Sequence, residues 1–211
     1  LRDGNLIRSG EIKNENKTSI VEAMLGTKQE VAFPEKKINA EAKNTVLNLS
    51  NIKTTNGVNN VNLKIYKGEV VGLLGLVGSG RTEILRSIFG IDKIIDGNIE
   101  FLDKKITPKN PEEAIKKGIV MIPEDRRKQG LVFTQNTRSN ISITDLKEVS
   151  KNQIVNFKKE ISLVKELITL LDIKPDEVDG NISFYSGGNQ QKVLFAKWIF
   201  SSPNLILLDE P

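Results

Sequence analysis

Two glycines and a threonine in the stretch GLVGSGRT have the spacing of a loop that binds phosphate. Gly75, Gly80 and Thr82 occupy the positions at which such a loop turns and meets its anion. Glycines let successive backbone N–H groups face one anion, and a helix that begins there adds the positive end of its dipole. Arg81 stands where the loop normally carries lysine, and its planar cation is no simple substitute for an ammonium. The pattern leaves two interpretations open, a nucleotide site or a tight turn without ligand.

Two acidic residues follow an apolar run near the end of the sequence. In the stretch NLILLDEP, Asp209 and Glu210 come directly after four apolar residues. In phosphoryl transfer, an aspartate at the end of a strand holds Mg²⁺, and a glutamate beside it can orient the attacking water. Acidic residues are also common at turns after buried strands. The catalytic interpretation gains weight because ligands of open α/β sheets lie beyond the carboxyl ends of the strands.

A second glycine pair lies in the stretch YSGGNQQK, at residues 185–192. Ser186 can cap a helix, and Gly187 and Gly188 expose backbone N–H groups at its start. The alternative is an ordinary capped helix after a Gly-Gly turn. Because the residues match as a string and not only by type, the pattern favours a second helix start that binds an anion.

Composition excludes several kinds of chemistry. The 211 residues include no cysteine and no histidine, so thiolate and imidazole chemistry are excluded. The net charge is +4, and charges of both signs are interspersed without a long block of one sign. Aromatic residues make up 5% of the chain, too few to favour stacking on single strands. A nucleic-acid partner is therefore not expected.

The hydrophobic pattern predicts where these stretches lie in the fold. Alternation at residues 45–52 predicts a half-buried strand, and the apolar run Val70–Leu74 predicts a strand inside a parallel sheet. Helical spacing follows the first glycine loop. Strand, glycine loop and helix are the context that a phosphate-binding loop requires.

Further elements are expected on both sides of this core. A helix capped by Asn110 with Glu113 precedes a buried strand at residues 119–122, and a long helix carries one apolar face over residues 154–171. Residues 1–33 predict two strands joined by an Asp-Gly turn and a helix capped by Thr18. The charged stretch at residues 34–44 predicts a linker.

The three chemical stretches occur in the order of the ATPase domain of ABC transporters, which the chain resembles. More narrowly, GLVGSGRTE, IPEDRRKQGL and SGGNQQK are similar to the second ATPase half of bacterial importers of simple sugars, of the ribose, xylose and galactoside type. The resemblance implies an α/β P-loop NTPase fold with a mixed or parallel sheet core, an antiparallel β-subdomain and a helical subdomain. It also implies the end of a first ATPase domain at 1–33, a linker at 34–44, and a second ATPase domain at 45–211, cut at its C-terminal end.

The resemblance implies ATP and Mg²⁺ as cofactors and assigns residues to them. The nucleotide-binding residues are Gly75, Leu76, Val77, Gly78, Ser79, Gly80, Arg81, Thr82 and Glu83, with Ser186, Gly187, Gly188 and Gln190 contacting the nucleotide of the other half. Thr82, Glu124 and Asp209 are expected to hold Mg²⁺, and Glu210 and Glu124 to act in catalysis. Arginine at position 81 is common in this half of the family. Glu124 replaces the glutamine of most ABC domains, and without the resemblance a solvated charged loop is the preferred interpretation of it.

The expected partners follow from the same resemblance. They are the first ATPase domain of the same chain, membrane permease subunits and, indirectly, a periplasmic or lipid-anchored sugar-binding protein, with the ATPase on the cytoplasmic face of the membrane. The fragment itself is expected to be inactive, and the site with Arg81 to turn over slowly. Two alternatives remain: the ATPase of a nucleoside importer, against which Arg81 argues, and a soluble ABC protein without a transport role.

Overall fold

An antiparallel sheet of four strands carries the first part of the core. The computed structural model describes residues 5–25 and 44–210. The strands are β1 (Thr45–Thr54), β2 (Val61–Tyr66), β3 (Ile94–Phe101) and β4 (Lys104–Ile106), in the order β2-β1-β3-β4. The strand predicted at residues 45–52 is confirmed, because alternate residues such as Leu47 and Leu49 are buried.

A parallel pair of strands forms the second sheet. Strand β5 (Ile119–Ile122) pairs with β8 (Leu205–Leu208) in a register that runs from Ile119 opposite Leu205 to Ile122 opposite Leu208. Both strands were predicted from their apolar runs and are confirmed. Because the strands are parallel, the residues that follow Ile122 and Leu208 leave the sheet at the same edge. The N–H of Asp209 extends the ladder by donating to the carbonyl of Ile122 at 3.0 Å.

The predicted parallel strand at residues 70–74 is wrong. This segment has no strand conformation, and Val70 and Leu74 are 95% and 98% exposed. A strand forms when a neighbour supplies hydrogen-bond partners for its backbone. Among the described residues, β8 pairs with β5 alone and no strand lies beside residues 70–74.

Helices cover the two sheets and form the second part of the core. They are α2 (Arg81–Ile88), α3 (Pro111–Lys116), α4 (Thr137–Ser142), α5 (Phe157–Leu170) and α6 (Gly187–Ile199), with a short hairpin of β6 (Ser150–Lys151) and β7 (Ile154–Val155) before α5. One cluster of buried apolar residues joins the four-stranded sheet to α2 and the β5–β8 pair. A second cluster packs α4, α5 and α6 around Ile122 and Leu131. The predicted α/β architecture with an antiparallel part and a helical part is confirmed.

Capping side chains fix where two of these helices begin. Asn110 accepts from the N–H of Glu113 at 2.9 Å, which confirms the predicted cap, whereas the carboxylate of Glu113 accepts from the N–H of Lys109 at 3.1 Å, one residue before the N–H that a capping box uses. The long helix begins later than predicted, at Phe157, because Asn156 caps it by accepting from the N–H of Lys159. Its predicted apolar face is buried at Val164 and Ile168, whereas Phe157 is 62% exposed.

Residues 5–25 belong to a separate compact unit, Leu1–Glu41, and the elements above belong to Ala42–Pro211. In the first unit, α1 (Lys17–Leu25) begins before Thr18, and Asn16 accepts from the N–H of Ser19 at 2.8 Å, so the predicted cap at Thr18 is wrong. The first strand and the turn of the predicted pair lie outside the described residues, and residues 6–12 have no strand conformation. The predicted linker, apart from Asn44, lies outside the described residues. No helix in the described ranges is long and apolar enough to cross a bilayer.

Candidate functional site

The first glycine loop turns sharply into α2. Gly78 and Gly80 have φ values of 79° and 91°, in the left-handed region that glycine adopts most easily. Gly80 precedes α2 and offers no side chain to cap it, so the N–H groups at this helix start are open to a ligand. A Cβ at Gly75 would lie 2.2 Å from Oγ of Ser79, so the loop closes on itself at a point where only glycine fits.

Two side-chain pairs connect the start of α2 to the end of β8. The hydroxyl of Thr82 donates to Oδ1 of Asp209 at 2.8 Å, and Asp209 is buried. Nη2 of Arg81 donates to Oε1 of Glu210 at 3.1 Å, in a partly exposed ion pair. Residues that are far apart in sequence therefore meet at one edge of the parallel sheet, as expected from the carboxyl ends of its strands.

A pocket of about 290 Å³ lies over this edge. It is lined by residues that the sequence assigned to nucleotide or to catalysis, namely Val77, Gly78, Ser79, Gly80, Arg81, Thr82, Glu83, Glu124 and Glu210. Gly75 and Leu76 precede this lining, and Leu76 is exposed. The structure therefore brings these residues together around one pocket.

Glu124 is exposed at the carboxyl end of β5 and begins a turn of charged residues. The next residue, Asp125, caps a π-helical turn, Arg126–Gly130, by accepting from the N–H groups of Arg127 and Lys128. The pKa of Asp125 lies below its ordinary value, chiefly because of the backbone hydrogen bond from Lys128. The charged stretch is thus a defined turn that places Glu124 at the pocket.

The second glycine pair begins α6. Ser186 accepts from the N–H of Asn189 at 3.4 Å and from its side-chain amide at 3.0 Å, which confirms the predicted cap. No atom lies within 4 Å of a Cβ built at Gly188, so this face is open. Ser186, Gly187 and Gly188 do not line the pocket at the first glycine loop.

Gln190 lies beneath this turn instead of at its surface. It is 2% exposed, and its amide donates to the carbonyls of Ile182 at 3.3 Å and Tyr185 at 3.0 Å, while Oε1 accepts from Nε of Arg126 at 3.3 Å. The sequence analysis placed Gln190 against a nucleotide. The structure uses both ends of its amide inside the protein.

Sequence reasoning also missed Tyr185, which is buried next to Ser186. Its hydroxyl accepts from Thr137 at 3.0 Å and donates to the carbonyl of Glu177 at 3.0 Å. Burial raises the pKa of the Tyr185 phenol above its ordinary value. An aromatic residue directly before the Ser-Gly-Gly string was the only signal available for it. These bonds fasten the turn before α6 to the start of α4.

A family model covers the part of the chain that carries these features. Residues 58–211 match the family described as ABC transporter. The chain belongs to the ABC transporter family. Among curated relatives of this family, the ribose import ATP-binding protein RbsA of Clostridium tetani is 39% identical over 212 residues, and that of Bacillus subtilis is 35% identical over 211. Each match covers 100% of this chain and 42% of the relative, so the chain spans less than half of their length.

Solved ABC cassettes share the fold. An ATP-binding cassette of an ABC transporter in its ADP conformation aligns with a TM-score of 0.62 at 21% identity, covering 77% of this chain and 67% of that one. The protein cbiO1 from Clostridium perfringens, part of an ABC transporter complex, aligns with a TM-score of 0.66 at 22% identity, covering 80% and 66%. The P-loop NTPase fold expected from the sequence is confirmed.

The pocket fits the cofactors of an ABC ATPase. The closed turn at Gly75 and the open helix start at Gly80 suit phosphate oxygens. Thr82 and Asp209 place a hydroxyl and a carboxylate side by side, and oxygen atoms of this kind are the ligands that Mg²⁺ prefers. No group of three or more carboxylates among the described residues could hold a metal alone. Mg²⁺ in nucleotide sites needs only one or two, because phosphate oxygens and water complete its coordination.

A second pocket of about 600 Å³ adjoins this site, shares Thr82 and Glu124 with it and is also lined by Asp209. Its apolar lining comes from Phe89, Ile91 and Met121 and from the ring of Trp198, whose buried Nε1 has no hydrogen-bond partner in the described part of the chain. The sequence analysis did not identify this pocket, because its lining comes from five separate stretches.

Proposed function

We propose that the chain belongs to the ATP-binding subunit of an importer that moves a monosaccharide across the cell membrane. The observation that carries this proposal is the meeting of the α2 start with Asp209 and Glu210, in a chain whose curated relatives are ribose import ATP-binding proteins. The site combines a glycine loop that can bind phosphate with a hydroxyl and a carboxylate that can bind a cation. Beside them lies a second carboxylate, Glu210, that can orient a water molecule.

Each residue of the pocket has a task in phosphoryl transfer. The backbone N–H groups of residues 75–82 bind the phosphates of ATP, and the hydroxyl of Thr82 and the carboxylate of Asp209 take Mg²⁺, helped by Glu124. When bound, MgATP supplies the phosphoryl group whose transfer to water drives transport. Glu210 orients the attacking water, and Arg81 places its charge near the transferred phosphate.

The site holding Arg81 and Glu124 turns over slowly. Both residues line the phosphate pocket, and both differ from the lysine and glutamine that ABC domains usually carry there. Arginine extends further than lysine, and Glu124 brings a negative charge towards the phosphates. Because Glu210 keeps its carboxylate, hydrolysis at this site is slowed rather than abolished.

The second glycine turn serves a different nucleotide from the one in the pocket. Ser186, Gly187 and Gly188 contact ATP held by the first ATPase domain of the same protein. None of the three lines the phosphate pocket, which supports their assignment to a different nucleotide. On this proposal residues 1–33 end the first domain, 34–44 are the linker, and 45–211 belong to the second domain.

The apolar pocket beside Glu124 is where the permease docks. Its apolar lining suits a segment with an apolar face. Movement of Glu124, which lines both pockets, connects the nucleotide to the permease. The subunit then lies on the cytoplasmic face of the membrane, and a sugar-binding protein acts through the permease.

Calorimetry on the full-length protein tests the nucleotide site. Asp209→Asn should weaken the magnesium-dependent binding of ATP by about tenfold or more, because it removes a charged ligand. Asp96→Asn, an exposed carboxylate paired with Lys53, is the matched control and should bind as the parent does. Equal affinity of the Asp209→Asn variant and the parent would overturn the site.

Transport measurements test the substrate class. Cells that lack the gene should lose uptake of labelled ribose, xylose or galactose and regain it with the parent gene. Loss of nucleoside uptake instead would indicate the nucleoside importer. Absence of any permease from the purified complex would indicate a soluble ABC protein.

A further inference from the structure

One arginine fastens the segment after Glu124 to the start of α6. Nε of Arg126 donates to Oε1 of Gln190 at 3.3 Å. The amide nitrogen of Gln190 in turn holds the carbonyls of Ile182 and Tyr185, which belong to the turn that precedes Ser186. The side chain of Arg126 therefore reaches the turn through a single buried amide.

Gly187 leaves room for this guanidinium. A Cβ built at Gly187 would lie 2.8 Å from Nη2 of Arg126, so the guanidinium would have to shift to admit a methyl group. At Gly188 a Cβ would meet nothing within 4 Å. The two glycines therefore have different structural roles. Gly188 leaves the helix start open to a ligand, and Gly187 leaves space for the side chain of Arg126.

The rest of the π-helical turn is also attached to α6. Nζ of Lys197 donates to the carbonyl of Gly130 at 2.7 Å, and a Cβ at Gly130 would lie 2.8 Å from Leu194. At the other end, the N–H of Arg126 donates to the carbonyl of Glu124 at 3.1 Å. Both ends of the π-helical turn are therefore bonded to α6. Glu124, which precedes the turn, is the residue that connects it to the phosphate pocket.

We propose that Arg126 is a positioning residue that sets the orientation of the Ser186–Gly188 turn relative to the phosphate pocket. It contacts no nucleotide and acts through Gln190 and the open side of Gly187. Its loss leaves the phosphate pocket intact but lets the turn at α6 drift from the geometry needed to complete the other nucleotide site. The inference rests on the proposed function, since that function assigns the turn to a shared nucleotide.

The experiment compares three variants of the full-length protein. Arg126→Gln removes the guanidinium, and Arg126→Lys keeps the charge and the aliphatic stem but loses the fork that reaches Gln190 and Gly187. Arg127→Gln is the matched control, because Arg127 is exposed in the same turn and lies over the ring of Phe133 instead of against α6.

Both Arg126 variants should lose about tenfold or more in kcat, the loss expected for one hydrogen bond to a charged group. KM and the affinity for MgADP should stay within about twofold of the parent, and Arg127→Gln should match the parent throughout. Full kcat in Arg126→Lys would overturn the proposal, since charge alone would then suffice. A parent that does not bind MgATP would instead overturn the proposed function.

Unfolding measurements test the contact itself and remain informative if Arg126→Gln folds poorly. Gly187→Ala should lower the unfolding temperature of the parent, because its methyl group meets the guanidinium. In an Arg126→Ala background, Gly187→Ala should lower the unfolding temperature by less, because the guanidinium is no longer there. The effects of the two substitutions should therefore not be additive. Additive effects would show that the contact is absent in solution and would overturn the proposal.

Discussion

Nη2 of Arg81 lies 3.1 Å from Oε1 of Glu210, so the cation of the glycine loop is paired with the carboxylate that we assign to the attacking water. Both side chains line the phosphate pocket. A phosphate group that enters the pocket competes with Glu210 for Arg81. The ion pair therefore opposes binding until the nucleotide replaces it.

Neutralising Glu210 should separate binding from hydrolysis. Glu210→Gln should keep or tighten MgATP binding, because it removes the competitor for Arg81, and should lower the ATPase rate at this site by about a hundredfold or more. Glu112→Gln is the control, since Glu112 is an exposed carboxylate on α3 paired with Lys116. Titration with a fluorescent ATP analogue and single-site phosphate release measure the two effects. Hydrolysis within twofold of the parent would remove Glu210 from the mechanism.

Restoring the usual residues should accelerate the slow site. Arg81→Lys combined with Glu124→Gln should raise single-site ATPase by about tenfold, equivalent to about 1.4 kcal/mol of transition-state stabilisation. The first ATPase domain must be silenced in the same protein so that only this site is measured. High turnover in the parent, unchanged in the double variant, would contradict the assignment.

The buried ion pair of the helical part should matter for stability. Glu160 is 3% exposed, and its carboxylate accepts from Arg138 at 2.6 Å and from Ser142 at 2.6 Å. Glu160→Ala should lower the free energy of unfolding by about 1.5–3 kcal/mol, because Arg138 loses its buried partner and keeps only the exposed Asp179. Lys116→Ala, which breaks an exposed pair that water screens, should cost clearly less. Chemical denaturation measures both, and similar costs would contradict the prediction.

The alkaline stability of the protein should depend on Tyr185. Its pKa is raised above 10.0 by burial, so the phenol ionises in the unfolded chain at a lower pH than in the folded one. The unfolded state then binds fewer protons above pH 10, and stability falls as pH rises through the folded pKa. Tyr185→Phe should flatten this fall, at the cost of its bonds to Thr137 and Glu177. Identical slopes of unfolding free energy against pH in parent and variant would refute the assignment.

Much of the site could be predicted because its residues have local signatures. Glycines with positive φ, such as Gly80, and acidic residues after an apolar strand, such as Asp209, leave patterns within a few positions of sequence. The shared edge of β5 and β8 then brings these patterns together. The order of the three stretches along the sequence was enough to predict that the glycine loop and the acidic pair lie close together.

What the sequence could not show depends on contacts between distant stretches. Gln190 looked like a ligand of the nucleotide because it belongs to a recognised string, yet its amide is used by Ile182, Tyr185 and Arg126. Arg126 looked like one charge in a solvated loop. Side-chain hydrogen bonds of this kind leave no periodic pattern, so only the three-dimensional arrangement reveals them.

The exposed run at residues 70–74 ends directly before Gly75, where the phosphate loop begins. The conformation of one segment therefore affects that of the other. Val70 and Leu74 are almost fully exposed and lie on the same short piece of chain as Gly75, so a ligand that orders the backbone at Gly75 also restricts residues 70–74. A phosphate-bearing ligand thus stabilises the folded form and restricts the neighbouring apolar residues as well. At a hundred times its dissociation constant, it would add about 2.7 kcal/mol to the stability of the folded form.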